Sequence, residues 1–94
     1  MNKVKQQYTE AMQWTLDNFA RLSTFAGGEK IGGNPSNGII YIRSGKEKAA
    51  EFISSGDWVL KRVNDETGEE EFKVVSPGRL RKMKKEGLVK LQSD

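Results

Sequence analysis

Five cations crowd one short stretch of the chain. In "SPGRLRKMKKEG", residues 76 to 87, Arg79, Arg81, Lys82, Lys84 and Lys85 stand against a single acid, Glu86. Guanidinium and ammonium groups at that density can neutralise phosphates or pair with the carboxylates of a partner. At about 100° per residue, Leu80, Met83 and Lys84 share one side of a helix, while Arg81, Lys82 and Lys85 fan across the other. Leu80 and Met83 would anchor such a helix, leaving an almost purely cationic solvent side. A solvated structural helix usually interleaves acids for i,i+4 pairing, and here only Glu86 offers that. Basic residues near a helix C-terminus also favour the helix itself through its macrodipole. Four or five phosphate contacts would give salt-sensitive, sequence-tolerant binding with Kd on the order of 10⁻⁴ to 10⁻⁶ M.

The rest of the chemical inventory is short. Cysteine and histidine are both absent, which removes disulfides, thiolate nucleophiles, the common zinc and iron ligand sets and the usual catalytic base. No metal site or cofactor is implied. Asp57 in "GDW" reads as a turn residue bonding its local backbone, and a lone carboxylate is weak evidence for acid-base chemistry. Glu69, Glu70 and Glu71 sit at a hairpin and read as solvated. The five glycines of "GGEKIGGNPSNG", residues 27 to 38, invite a phosphate-loop reading. Gly33 stands where a Walker loop needs lysine, however, and no strand feeds directly into the loop with a helix following. The segment reads as a connecting loop, with Gly32, Gly33 and Asn34 as the residues that would line a ligand if it held one. Trp14 and Trp58 read as core residues, with ligand stacking the minority role.

These residues need elements to hold them. "YTEAMQWT", residues 8 to 15, reads as a strand with Tyr8, Met12 and Trp14 on one parity. Thr15 then stands as an N-cap, and Phe19, Leu22, Phe25 and Ala26 follow at helical spacing up to Gly27 and Gly28. "GIIYIRSG", bounded by Gly38 and Gly45, is the clearest strand. A weaker segment runs to Ile53, a turn occupies 54 to 56, and a further strand spans 58 to 63. "NDETGEE" is a hairpin connection with Gly68 left-handed. The returning "EEFKVVS" alternates Glu71, Lys73 and Val75 with Phe72 and Val74, which predicts one wetter face. Ser76 and Pro77 open the basic helix, Gly87 closes it, and "LVKL" could form an edge strand that pairs across a two-fold axis in a homodimer. This order predicts an α+β fold: a small, curved, mostly antiparallel sheet or partly open barrel with two short helices.

Ninety-four residues fit a single domain spanning 1–94. No apolar run approaches the roughly 20 residues that span a bilayer, and "MNKVKQQYTE" lacks the apolar core of a signal peptide, so a cytoplasmic protein without membrane contact is expected. The net charge of +3 is unevenly placed: residues 1 to 78 hold ten basic and eleven acidic side chains, residues 79 to 94 six and two. Neither an RNA-recognition aromatic motif nor a helix-turn-helix spacing appears.

The combination "TEAMQWTLDNF", "GIIYIRS", "GDWVLKRV" and "GEEEFKVVSPGRL" resembles a group of small phage and prophage proteins. Their pattern is a strand ending in E-A-x-Q-W-T, a helix containing N-F, a central I-x-I strand, a G-D-W-I-x-K strand, and a strand running into a terminal helix. The match covers roughly residues 8 to 85. The chain departs from the group in lacking a proline in "KVKQQYTEA" and in its longer, more acidic hairpin. The resemblance implies a non-enzymatic phage accessory protein, acting in the host cytoplasm by binding and blocking a host factor. Such a factor could be a defence component: a CRISPR effector, itself a nucleoprotein, or a nucleotide-signalling system. Two other functions fit the residues: a nucleic-acid-binding protein using the basic helix, and a nucleotide sponge built from the glycine loop and a tryptophan.

Overall fold

The computed structural model describes residues 7–28, 30–43 and 49–91. In chain order the elements are β1 (Glu10–Gln13), α1 (Phe19–Phe25), β2 (Ile31–Asn34), a 3-10 turn (Pro35–Asn37), β3 (Ile39–Ile42), β4 (Glu51–Ile53), β5 (Trp58–Val63), β6 (Glu70–Val75) and α2 (Pro77–Lys85). The fold is α+β, as the element order predicts. The strands divide into two antiparallel three-stranded sheets, β1-β5-β6 and β2-β3-β4, which do not close into a barrel. The Gly45 end of the second expected strand and the start of the following weak segment lie outside the described residues. Among the described residues no helix is long and apolar enough to cross a membrane.

The β1-β5-β6 sheet is central because both of its faces are covered. Its register pairs Met12 with Val59 and Val59 with Val74, while Ala11 pairs with Leu60 and Trp58 with Val75. Since side chains alternate between faces, Met12, Val59, Phe72 and Val74 point one way and Ala11, Trp58, Leu60 and Val75 the other. The first set packs with Trp14, with Leu22 and Ala26 from α1 and its C-cap, and with Ile40, Ile42 and Ile53 from the second sheet. The second set packs with Leu80 and Met83 of α2 and with Val89. Two separate cores thus sit back to back on one sheet, and β5 supplies adjacent residues, Val59 and Leu60, to each.

This arrangement corrects several local expectations. Val75 is buried, so the face expected to be wetter is half-exposed at Glu71 and Lys73 and closed at Val75. Tyr8 joins the second core although Met12 and Trp14 join the first. Its Thr9 neighbour donates to the Lys61 carbonyl, although Lys61 is already the register partner of Glu10. That one-residue offset moves Tyr8 to the other face. The α1 N-cap is Asn18 and not Thr15, and its side chain is spent elsewhere: Oδ1 accepts from the Thr15 N–H and Nδ2 donates to the Gln13 carbonyl. Residues 27 to 38 are not one loop, since β2 and the 3-10 turn occupy most of them. "LVKL" forms a single parallel bridge, Tyr8 with Val89, instead of an edge strand.

Candidate functional site

The basic helix is built as its sequence indicates. The Ser76 hydroxyl accepts from the Arg79 N–H at 3.2 Å and Pro77 takes the first helical position, so the first turn is capped and pre-set. At the other end Gly87 is left-handed with φ 77°. The Gly87 N–H donates to the Lys84 carbonyl and the Leu88 N–H to the Met83 carbonyl, which is the Schellman closure. Leu80 and Met83, 5% and 3% exposed, bury one stripe in the second core. Arg79, Arg81, Lys82, Lys84 and Lys85 are all exposed. Arg81, Lys82 and Lys85 lie opposite the buried stripe, while Arg79 and Lys84 flank it.

Two cations of the hairpin strands, Lys61 and Arg62, are held differently. Lys61, on the first-core face of β5, sets Nζ 2.7 Å from the Glu70 carboxylate and 3.9 Å from Glu10. It also donates to the Phe25 carbonyl at the end of α1 and lies 5.3 Å from the Phe25 ring centre. The hydrogen bond from Lys61 holds the Glu70 carboxyl below the usual glutamate range. Across the sheet Arg62 pairs with its register partner Glu71 at 2.8 Å and covers the Tyr8 ring at 4.6 Å. Burial pushes the Tyr8 phenol up. Glu70 and Glu71 are therefore structural partners and only Glu69 of the acidic trio is exposed. On α2, by contrast, Arg79, Arg81, Lys82 and Lys85 form no ion pair among the described residues.

The remaining candidates separate. Asp57 accepts from the Ser54 N–H at 3.0 Å, the turn role expected of it. Trp14 is 0% exposed, so it offers no ring face to a ligand, and Trp58 packs against the second core. Gly32, Gly33 and Asn34 lie in β2, and Asn34 accepts from the Ser36 N–H to start the 3-10 turn. An open groove of about 430 Å³ runs beside α1, lined by Met12, Ala20, Arg21, Thr24 and Phe25. Missed by sequence reading is the outward face of the second sheet, where Ile39 is 57% and Phe52 69% exposed and Tyr41 lies between the flanking strands. Its signal is a cross-strand register, Tyr41 with Phe52, that no local pattern contains. Comparison of the chain with protein-family models, with curated proteins and with solved structures finds no match.

Proposed function

We propose that the protein is a non-enzymatic binding protein that blocks a host factor by laying α2 against an acidic or phosphate-bearing surface. The observation that carries this reading is the division of cations. Lys61 and Arg62 are paired within the fold, whereas α2 holds a cationic face that is anchored, capped and open to solvent. Holding those side chains on a pinned helix lowers the ordering cost of binding. The resemblance to small phage proteins supports an anti-defence role, with a CRISPR effector or a nucleotide-signalling component as the target, in the cytoplasm of the infected cell.

The same face fits the phosphates of a nucleic acid, and salt separates the two partners. Binding to phosphates falls steeply and log-linearly with salt, whereas a mixed protein interface loses much less. The test is capture from a host lysate with and without nuclease, by the wild type and by the triple variant R81E/K82E/K85E. A protein partner that survives nuclease and is lost with the triple variant supports the proposal. Retention of that partner by the triple variant overturns it, and recovery of nucleic acid alone, lost with the triple variant, assigns the helix to phosphates.

A further inference from the structure

The outward face of the second sheet carries an unusual seat for an aromatic ring. A Cβ placed on Gly32 would stand 2.5 Å from both Cζ and Oη of Tyr41 and 2.9 Å from Cε1. A point in the ring plane equidistant from Cζ and Oη would come far closer to one of the ε carbons. The Gly32 position therefore lies over the flat of the ring, and Tyr41 rests face-down on β2 where any other residue would hold it off. Tyr41 is half-buried in this position.

Phe52 neighbours it on β4 with its ring steeply inclined. The two rings have centroids 6.2 Å apart at an interplanar angle of 72°, and they are register partners on β3 and β4. A planar group parallel to Tyr41 would lie at the same steep angle to Phe52, the inclination that edge-to-face aromatic contacts prefer. Ile39 flanks the corner at one end. Arg43 follows Tyr41 by two residues, is exposed, and continues the pairing through its N–H to the Lys30 carbonyl at 2.9 Å, so it shares the outward face at the other end. The outward positions of β2, β3 and β4 are Gly32, Asn34, Ile39, Tyr41 and Phe52, and none is a carboxylate.

We propose that this face binds single-stranded nucleic acid, stacking an unpaired base on Tyr41 beside Phe52 with Arg43 placed for the adjoining phosphate. Aromatic side chains on an acid-free sheet face with a neighbouring cation are the elements that sequence-tolerant strand binding requires. The site lies on the side of the central sheet away from α2, so it is independent of the binding assigned to that helix.

The test compares a labelled oligothymidylate with an abasic oligonucleotide of equal length and charge, by fluorescence anisotropy. Wild type should prefer the oligothymidylate by about five- to a hundredfold, the range of one or more stacked bases. Y41A/F52A should abolish that preference and leave abasic binding as it was. F52A alone, at a side chain that the core does not use, should remove part of it. R81E/K82E/K85E, on the far side of the central sheet, should leave the affinity of the oligothymidylate for the face within a factor of about two of wild type, so failure of the helix and failure of the face read differently. Equal binding of the two oligonucleotides by wild type overturns the proposal, as does an unchanged preference in Y41A/F52A. Free thymidine monophosphate binding as tightly as the strand, or a dimer in sedimentation that F52A dissolves, would also overturn it.

Discussion

Two neighbouring glycines in β2 are glycine for different reasons, and the difference is measurable. Gly32 makes room for a ring, and the atoms a methyl group would meet belong to the far end of a side chain that can swing away. Gly33 has φ 109°, and a Cβ there would meet the backbone of Ile39 and Ile40 at 2.5 and 2.7 Å. Gly32→Ala should therefore cost about 1 kcal/mol in denaturant unfolding. Gly33→Ala should cost about 2 kcal/mol or more, because neither its conformation nor its neighbours can yield. A Gly33→Ala variant as stable as Gly32→Ala would contradict this account. A second residue-scale prediction concerns pH. Lys61 holds the Glu70 carboxyl below the usual glutamate range, so this contribution to stability is present above that range and is lost as pH falls through it. Glu70→Gln should make the acid limb of a stability-versus-pH curve shallower and leave its alkaline limb unchanged. Equal acid limbs in the two proteins would show that the pair does not contribute.

Among the elements, α2 separates anchoring from display. Leu80→Ala should destabilise the protein by about 2 to 5 kcal/mol, since it opens a cavity between helix and sheet. R81E/K82E/K85E should cost no more than about 1 to 2 kcal/mol, because those exposed side chains act on the fold only through the helix macrodipole. A large loss of stability in the triple variant would mean the charges serve the fold. This helix was legible in the sequence because its signals are local: Ser76 and Pro77 at one end, Gly87 at the other, and Leu80 and Met83 three residues apart. The 64–69 hairpin was legible for the same reason, with Gly68 left-handed as its turn requires. β2 was not legible. Two of its four residues are glycines, which suggest a turn, and its strand state comes from pairing with β3 and from the seat it gives Tyr41. The α1 cap was misplaced because Thr15 and Asn18 have equally good capping chemistry. The Asn18 side chain instead bridges back to the end of β1. The Tyr41–Phe52 corner was invisible because its halves stand eleven positions apart in sequence and only the β3–β4 register joins them.

At the scale of the molecule, the central sheet has a core on each face, with α2 outside one and the second sheet outside the other. The cationic helix and the aromatic face therefore look away from each other. Perturbations that far apart should add: saturating the sheet face with oligothymidylate should leave the affinity of α2 for its partner unchanged within a factor of about two. Competition between the two would mean that the faces share a ligand. The cores themselves cannot be so independent, because β5 gives Val59 to one and Leu60 to the other. Each core also holds one of the chain's two tryptophans. Trp14 is sealed in the first with an indole N–H that finds no hydrogen-bond partner among the described residues, and Trp58 lies partly exposed in the second. The molecule thus carries two built-in optical probes of unlike colour, the enclosed indole emitting to the blue of its wetter counterpart. Trp14→Phe and Trp58→Phe would each leave one lamp lit, so the melting of either half can be watched alone.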